Sequence, residues 1–149
     1  MKTVIVRENG DAAPEGAFVL DLNDTPVRDC TGCWSCWQKT PGRCAHHDLD
    51  EFYRAFLAAD KVIFYTKASN GFVSGRLKTL FDRMIPHYLP YTSYKTGESM
   101  HVPRYAHYPD VEVYYEGDFI SAEEQALYEE YIERVFYQFH IKSTVKEAV

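Results

Sequence analysis

KVIFYTKASNGFVSGRLKTLFDR, Lys61 to Arg83, is the stretch that decides the fold. Lys61 to Thr66 is aromatic and β-branched, apolar enough for a strand in the middle of a sheet. Ser69 to Gly75 is a polar loop punctuated by glycine. Ser74 stands where a helix N-cap belongs. Leu77, Leu80, Phe81, Met84 and Ile85 then recur at helical spacing, and Pro86 ends the run. Strand, loop and helix in that order make half of a βαβ unit, which predicts a parallel sheet.

The neighbouring segments extend this pattern. Upstream, Thr3–Arg7 (TVIVR) and Ala17–Leu22 (AFVLDL) read as two further strands, with the loop GDAAPEG between them. Asp48 and Glu51 have the spacing of a capping box, and Leu49, Phe52, Phe56 and Leu57 give the following helix an apolar face as far as Asp60. Downstream, residues 86–110 form a long connection rich in Tyr and His, of a length that is usually functional or interfacial. His101, Arg104, Tyr105, His107 and Tyr108 are expected there to contact a second copy. Val111–Tyr115 is a fourth strand. Ser121 and Glu124 cap a last helix with the stripe Leu127, Tyr128, Tyr131, Ile132, Val135, Phe136 and Phe139. A short fifth strand over Ile141–Val145 completes an open, doubly wound α/β arrangement.

Composition narrows the function. The 149 residues are 46% hydrophobic and 26% charged, as expected of one globular domain. A net charge of −6 disfavours nucleic acid and anionic membrane as partners. The longest apolar runs are far too short to span a bilayer. MKTVIVREN lacks a secretory pattern, so a cytoplasmic location is expected, where thiols stay reduced. The aromatic share of 15% suits an interface.

All four cysteines, Cys30, Cys33, Cys36 and Cys44, fall at C-x2-C-x2-C-x7-C spacing in one segment. Three within seven residues can wrap one cubane cluster and the fourth can close it. Structural zinc more often uses separated pairs. Reduced thiols without a ligand, an iron–sulfur cluster, zinc and a disulfide all stay open on the spacing alone. Trp34 and Trp37 shield such a cluster or serve as ordinary core aromatics.

DCTGCWSCWQKTPGRCAHHDLDEFYRAFLAADKVIFYT together with SNGFVSGRLKTLFDR resembles the flavodoxin-like NADPH-dependent FMN reductases and iron–sulfur flavoproteins. The resemblance covers about residues 28–85 and continues more weakly through VEVYYEG and the last helix. It implies one flavodoxin-like domain over residues 1–149, a three-layer sandwich with strand order 2-1-3-4-5. It implies FMN at the carboxyl ends of the strands, NAD(P)H as electron donor, and a homo-oligomer, dimer or tetramer. It implies a [4Fe–4S] cluster on the four cysteines. It carries the flavin-side loop onto Thr66, Lys67, Ala68, Ser69, Asn70, Gly71 and Phe72, and a second loop onto Gly117.

The chain departs from that pattern in two places. Lys67 and Ser69 stand where the family commonly has Pro and Tyr, so the flavin-stacking aromatic is either missing or moved to Phe72. The first two strands are separated by only the nine residues Glu8–Gly16, with no phosphate loop and no helix. Glu8, Asp11 and Glu15 in that connection would repel a phosphate. Nine extended residues reach about 30 Å and a five-residue strand needs about 17 Å, so a parallel return is possible without a helix. A hairpin between antiparallel strands is the competing geometry. Without the helix, one sheet face loses its cover, and a second chain or the 86–110 connection is expected to lie on it. The alternative function is a flavodoxin-like binding or assembly subunit that has lost FMN.

Overall fold

In β3 (Lys61–Lys67), Val62, Phe64 and Thr66 are buried while Lys61, Ile63 and Tyr65 are half-exposed. That period of two assigns one face of the sheet to the core and the other to solvent. The computed structural model describes residues 1–10 and 12–149. Asp11, one carboxylate of the first connection, lies outside the described residues.

Five parallel strands form the main sheet: β1 (Thr3–Arg7), β2 (Phe18–Asp21), β3, β6 (Asp110–Glu116) and β7 (Ser143–Glu147). Their spatial order is β2-β1-β3-β6-β7. Counted within the sheet alone, that is the expected order 2-1-3-4-5. β1 and β2 pair in parallel from Val4↔Phe18 to Arg7↔Asp21, so the hairpin alternative is excluded. No helix lies between them among the described residues.

The three long helices, α2 (Asp50–Ala58), α3 (Gly75–Asp82) and α4 (Ala122–Gln138), bury residues into one shared cluster. Phe64 lies at its centre, with ring centroids 6.4 Å from Phe81 of α3 and 5.3 Å from Phe136 of α4. Each such buried aromatic contributes roughly 1.5–3 kcal/mol. Ser74 caps α3 as expected, accepting from Leu77 N at 3.0 Å. Ser121 caps α4 through Glu124 N at 3.1 Å. Leu127 of the expected α4 stripe is 63% exposed instead.

Two expectations need correction. Asp48 does not cap α2; the N-cap is Leu49, and the Asp48 carboxylate is committed to Arg83 and Arg28. The 86–110 connection is not irregular. It begins with a 3-10 turn at Ile85–His87 and forms an antiparallel hairpin, β4 (Tyr88–Ser93) with β5 (Met100–Pro103). Period-two alternation is poor there, because only Tyr88 of β4 and Met100 of β5 are buried. The hairpin does not lie on the open sheet face. Tyr88 stacks on Phe139 at 5.2 Å and its carbonyl accepts from Trp37 Nε1 at 2.9 Å.

The second face of the sheet carries no helix among the described residues. One row across it runs Asp21, Arg7, Tyr65, Tyr114, Lys146. The next runs Val19, Ile5, Ile63, Glu112, Thr144. Arg7 pairs with Asp21 at 2.8 Å, Lys61 with Glu112 at 2.6 Å, and Tyr65 stacks on Tyr114 at 5.8 Å. Charged and aromatic side chains thus flank an apolar row of Val19, Ile5 and Ile63, in which Ile5 is fully buried.

Candidate functional site

The segment after β2 wraps a cavity. Gly32 (φ +66°) and Trp34 (φ +62°) take left-handed backbone, which turns the chain tightly on either side of the second cysteine, Cys33. The short helix α1 (Ser35–Gln38) then presents Cys36 inward. Cys36 is buried, Cys44 half-buried, and Cys30 and Cys33 are exposed; all four are free thiols. Together they line one cavity of about 110 Å³, walled by Trp34, Trp37, His46 and Arg83. Trp34 and Trp37 meet edge to face at 5.5 Å.

The four thiols share one electrostatic field. Burial pushes the Cys36 thiol up, and the charges of Cys44, Cys30 and Cys33 add to that rise. Hydrogen bonds from Ser35 draw the exposed Cys33 thiol below its usual value. Among the described residues, no three His, Cys, Asp or Glu side chains converge closely enough to hold a single metal ion. A zinc ion at about 2.3 Å from each sulfur requires such convergence.

Arg83 supplies the opposing charge. It is only 1% exposed, yet its guanidinium donates to Asp48 Oδ1 at 2.6 Å, Asp48 Oδ2 at 3.1 Å and the Arg28 carbonyl at 2.6 Å. It also donates to Cys44 Sγ at 3.3 Å, and the His46 backbone N–H reaches the same sulfur at 3.4 Å. Two buried polar atoms on cavity-lining residues, Arg83 Nε and His46 Nε2, have no partner. Unpaired buried polar atoms are uncommon and call for an occupant. Soft thiolates with N–H groups aimed at sulfur are the donor set of an iron–sulfur cluster. The cavity therefore fits such a group.

The strand ends form a second locus at the opposite terminus of α3, about 12 Å away for eight residues at 1.5 Å each. Thr66 is buried and its hydroxyl meets Tyr128 at 3.0 Å. Asn70 (φ +51°) and Gly71 (φ +74°) form a two-residue turn closed by Ser69 N to Phe72 O at 2.7 Å and Phe72 N to Ser69 O at 3.0 Å. Lys67 is exposed and Ala68 donates to Glu116 O at 2.8 Å. Gly117 (φ +145°) approaches so closely that a Cβ there would lie 2.7 Å from Ala68 Cβ. The two loops expected around a flavin ring are therefore in contact. Phe72 is 45% exposed, with its ring 4.6 Å from Tyr131.

At the end of β1 stands Glu8, only 8% exposed. Its carboxylate accepts from Ser74 Oγ and, at 3.0 Å, from Lys67 N. No hydroxyl or glycine-rich turn of the first connection is offered to a phosphate, so this chain's residues do not fit that part of FMN. Of the other carboxylates, Glu15 is exposed and lies beside Met1–Val4, at the far end of the sheet.

His101, Arg104, Tyr105 and Tyr108 are used internally. Arg104 donates to the carbonyls of Pro86, Cys36 and Tyr88 at 3.0–3.4 Å, and Tyr108 OH donates to His87 O. They clasp the hairpin to the cysteine segment. Sequence reasoning missed Arg83 and Asp48; the one available signal was a basic residue closing an otherwise apolar helical stripe.

The sequence pattern of the NADPH-dependent FMN reductases matches residues 5–98, the majority of the chain. The chain belongs to that family. An iron-sulfur flavoprotein of Methanocaldococcus jannaschii is 34% identical over 88 residues, 56% of this chain and 45% of that one. The match thus spans less than half of that relative's length. Azoreductase AzrA superposes with a TM-score of 0.62 at 13% identity, over 99% of this chain and 87% of its own. An FMN-dependent NADH-azoreductase from Bacillus anthracis, solved in complex with FMN, superposes with a TM-score of 0.53 at 14% identity, over 99% and 86%. At these identities, the two structures establish the flavodoxin-like fold alone.

Proposed function

We propose that the chain is an oxidoreductase domain of the electron-transfer type, using FMN with NAD(P)H and holding a [4Fe–4S] cluster on Cys30, Cys33, Cys36 and Cys44. One observation carries the cluster: four free thiols line a single cavity together with Arg83 and His46, whose Nε and Nε2 atoms are buried without a hydrogen-bond partner among the described residues. A cluster bound there supplies single-electron chemistry. The chain's own part is to screen charge through Arg83, exclude water with Trp34 and Trp37, and hold Cys44 by two hydrogen bonds.

The flavin belongs at the strand ends, bordered by Thr66–Phe72 and Gly117. Family membership and the FMN-bound neighbour support it. Because the first connection offers no phosphate contacts, the ring and ribityl tail carry most of the affinity in this reading. Residues 1–149 act as one domain, and a homo-oligomer, dimer or tetramer, buries the open sheet face. Among the described residues, no helix is long and apolar enough to cross a membrane, and we place the protein in the cytoplasm, where the thiols stay reduced. A second reading, a non-catalytic assembly subunit, is favoured by one observation: Glu8 already fills the strand-end crevice.

The test is the absorbance spectrum of anaerobically purified protein, with iron and sulfide assayed on the same sample. Flavin bands and about four irons per chain are expected, with the iron lost in Cys33→Ser. Iron content and spectrum unchanged by Cys33→Ser would refute the cluster. A colourless, metal-free protein that takes up no added FMN would establish the second reading.

A further inference from the structure

We propose that Glu8 limits how tightly the strand-end crevice holds a flavin phosphate, so that FMN binds there no more tightly than a flavin without one. The inference rests on the reading that a flavin sits at the strand ends.

In an open α/β sheet, ligands bind beyond the carboxyl ends of the strands where the strand order reverses. Here that point lies between β1 and β3. Anionic groups are held at such points by free backbone N–H groups, hydroxyls and a helix N-terminus. This chain has those parts: Lys67 N–H at the end of β3, the Ser74 hydroxyl, and the start of α3. The first two are already taken by the Glu8 carboxylate. Glu8 continues the sheet through its own N–H, which donates to Tyr65 O at 2.8 Å, so its side chain is aimed by the strand rather than by a loose loop. Its carbonyl accepts from Asn23 Nδ2, which ties the same residue to the turn after β2. A carboxylate is seldom buried without donors, and here the donors are those a phosphate would need.

Two consequences follow for an incoming flavin. A phosphate must displace Glu8 or sit beside it, and two anions sharing a site disfavour one another. An isoalloxazine with an uncharged ribityl tail meets neither obstacle. Glu15 is a natural control, since it carries the same charge in the same connection but lies at the far end of the sheet.

The experiment titrates anaerobically purified protein with riboflavin and with FMN, following quenching of flavin fluorescence, with iron assayed on each sample. Wild type is expected to bind FMN no more tightly than riboflavin. Glu8→Gln, which keeps shape and removes charge, should raise the FMN-to-riboflavin affinity ratio about tenfold. Glu8→Ser, which also frees space, should raise it further, and Glu15→Gln should leave it unchanged. A wild type that binds riboflavin but not FMN, with FMN binding gained in Glu8→Gln, supports the proposal in its strictest form. Wild type preferring FMN tenfold or more, a ratio unmoved by both Glu8 variants, or no binding of either flavin by any variant would each overturn it. The iron assay reports separately on the cysteine cavity, so loss of the cluster reading and loss of this one are distinguished.

Discussion

Replacing Asp48 by Asn should destabilise the fold severely, and the size of the loss can be worked from the contacts. Arg83 is 1% exposed, and among the described residues Asp48 provides its carboxylate contacts, at 2.6 and 3.1 Å. Removing one partner of a buried pair costs about 3–5 kcal/mol, because an uncompensated charge stays behind. The Asp48 side chain is 19% exposed, and Arg83 keeps the Arg28 carbonyl and Cys44, so the lower end, about 3 kcal/mol, is expected. That is a large share of a stability of roughly 5–15 kcal/mol. At about 2–4 °C per kcal/mol for a chain of this size, Tm should fall by about 6–12 °C. Urea unfolding should show the same loss as a lower midpoint with an unchanged slope. The double variant Asp48→Leu with Arg83→Met should recover most of it, since apolar replacement of a buried pair is often neutral. pH adds a second reading. Burial pushes the Asp48 carboxyl up, but the Arg83 hydrogen bond, the Arg28 N–H and the Arg83 charge outweigh it and hold it below its usual value. A depressed carboxyl stabilises above its unfolded value of about 3.9 and loses that contribution as pH falls through the folded value. The gap between wild type and Asp48→Asn should therefore close in acid below about pH 4. A loss under about 1 kcal/mol, or a double variant that costs the sum of its singles, would refute the reasoning.

Burial, and then the charge of Arg104, push the His87 imidazole down to about 3, and both ring nitrogens lack partners. The unfolded state gains a proton near pH 6.5 that the folded state refuses, so His87→Phe should gain on wild type by up to about 1.4 kcal/mol per pH unit below that point; equal pH profiles in urea titrations would disprove it. Gly71→Ala should cost about 1–2 kcal/mol, because the backbone there is left-handed and a Cβ would strike the Glu124 carboxylate; an unchanged melting temperature would count against the turn as described. Tyr65→Asp, on the open sheet face, should break the homo-oligomer proposed above into monomers in light scattering, and a wild type already monomeric at micromolar concentration would remove that face as the interface.

The sheet was legible because β3 and β6 obey period two, β1 is a β-branched run buried through its centre, and the helices obey period 3.6. Val62, Phe64, Leu77 and Leu80 are both the residues that mark the pattern and the residues that fill the core. The hairpin over residues 88–103 was not legible, since its strands bury single residues and draw their order from Trp37 and Phe139, far away in sequence, and from Arg104 just past β5. The cysteine cavity was visible as spacing, but its counter-charge was not: Arg83 enters from a different helix, and Asp48 resembled a cap. The role of Glu8 needed the register of β1 on β3, which places its side chain beside Lys67 N–H.

Arg104 binds backbone carbonyls of Pro86, Tyr88 and Cys36, and Trp37 binds that of Tyr88. The hairpin and the cysteine segment are therefore stitched into one cooperative unit, attached to the sheet layer chiefly by side chains. Amide protons of β4, β5 and α1 should exchange with solvent at a common rate, faster than those of β1 and β3. Anything that must enter or leave the ring of thiols then has a natural route, the collective opening of this unit, which leaves the parallel sheet intact.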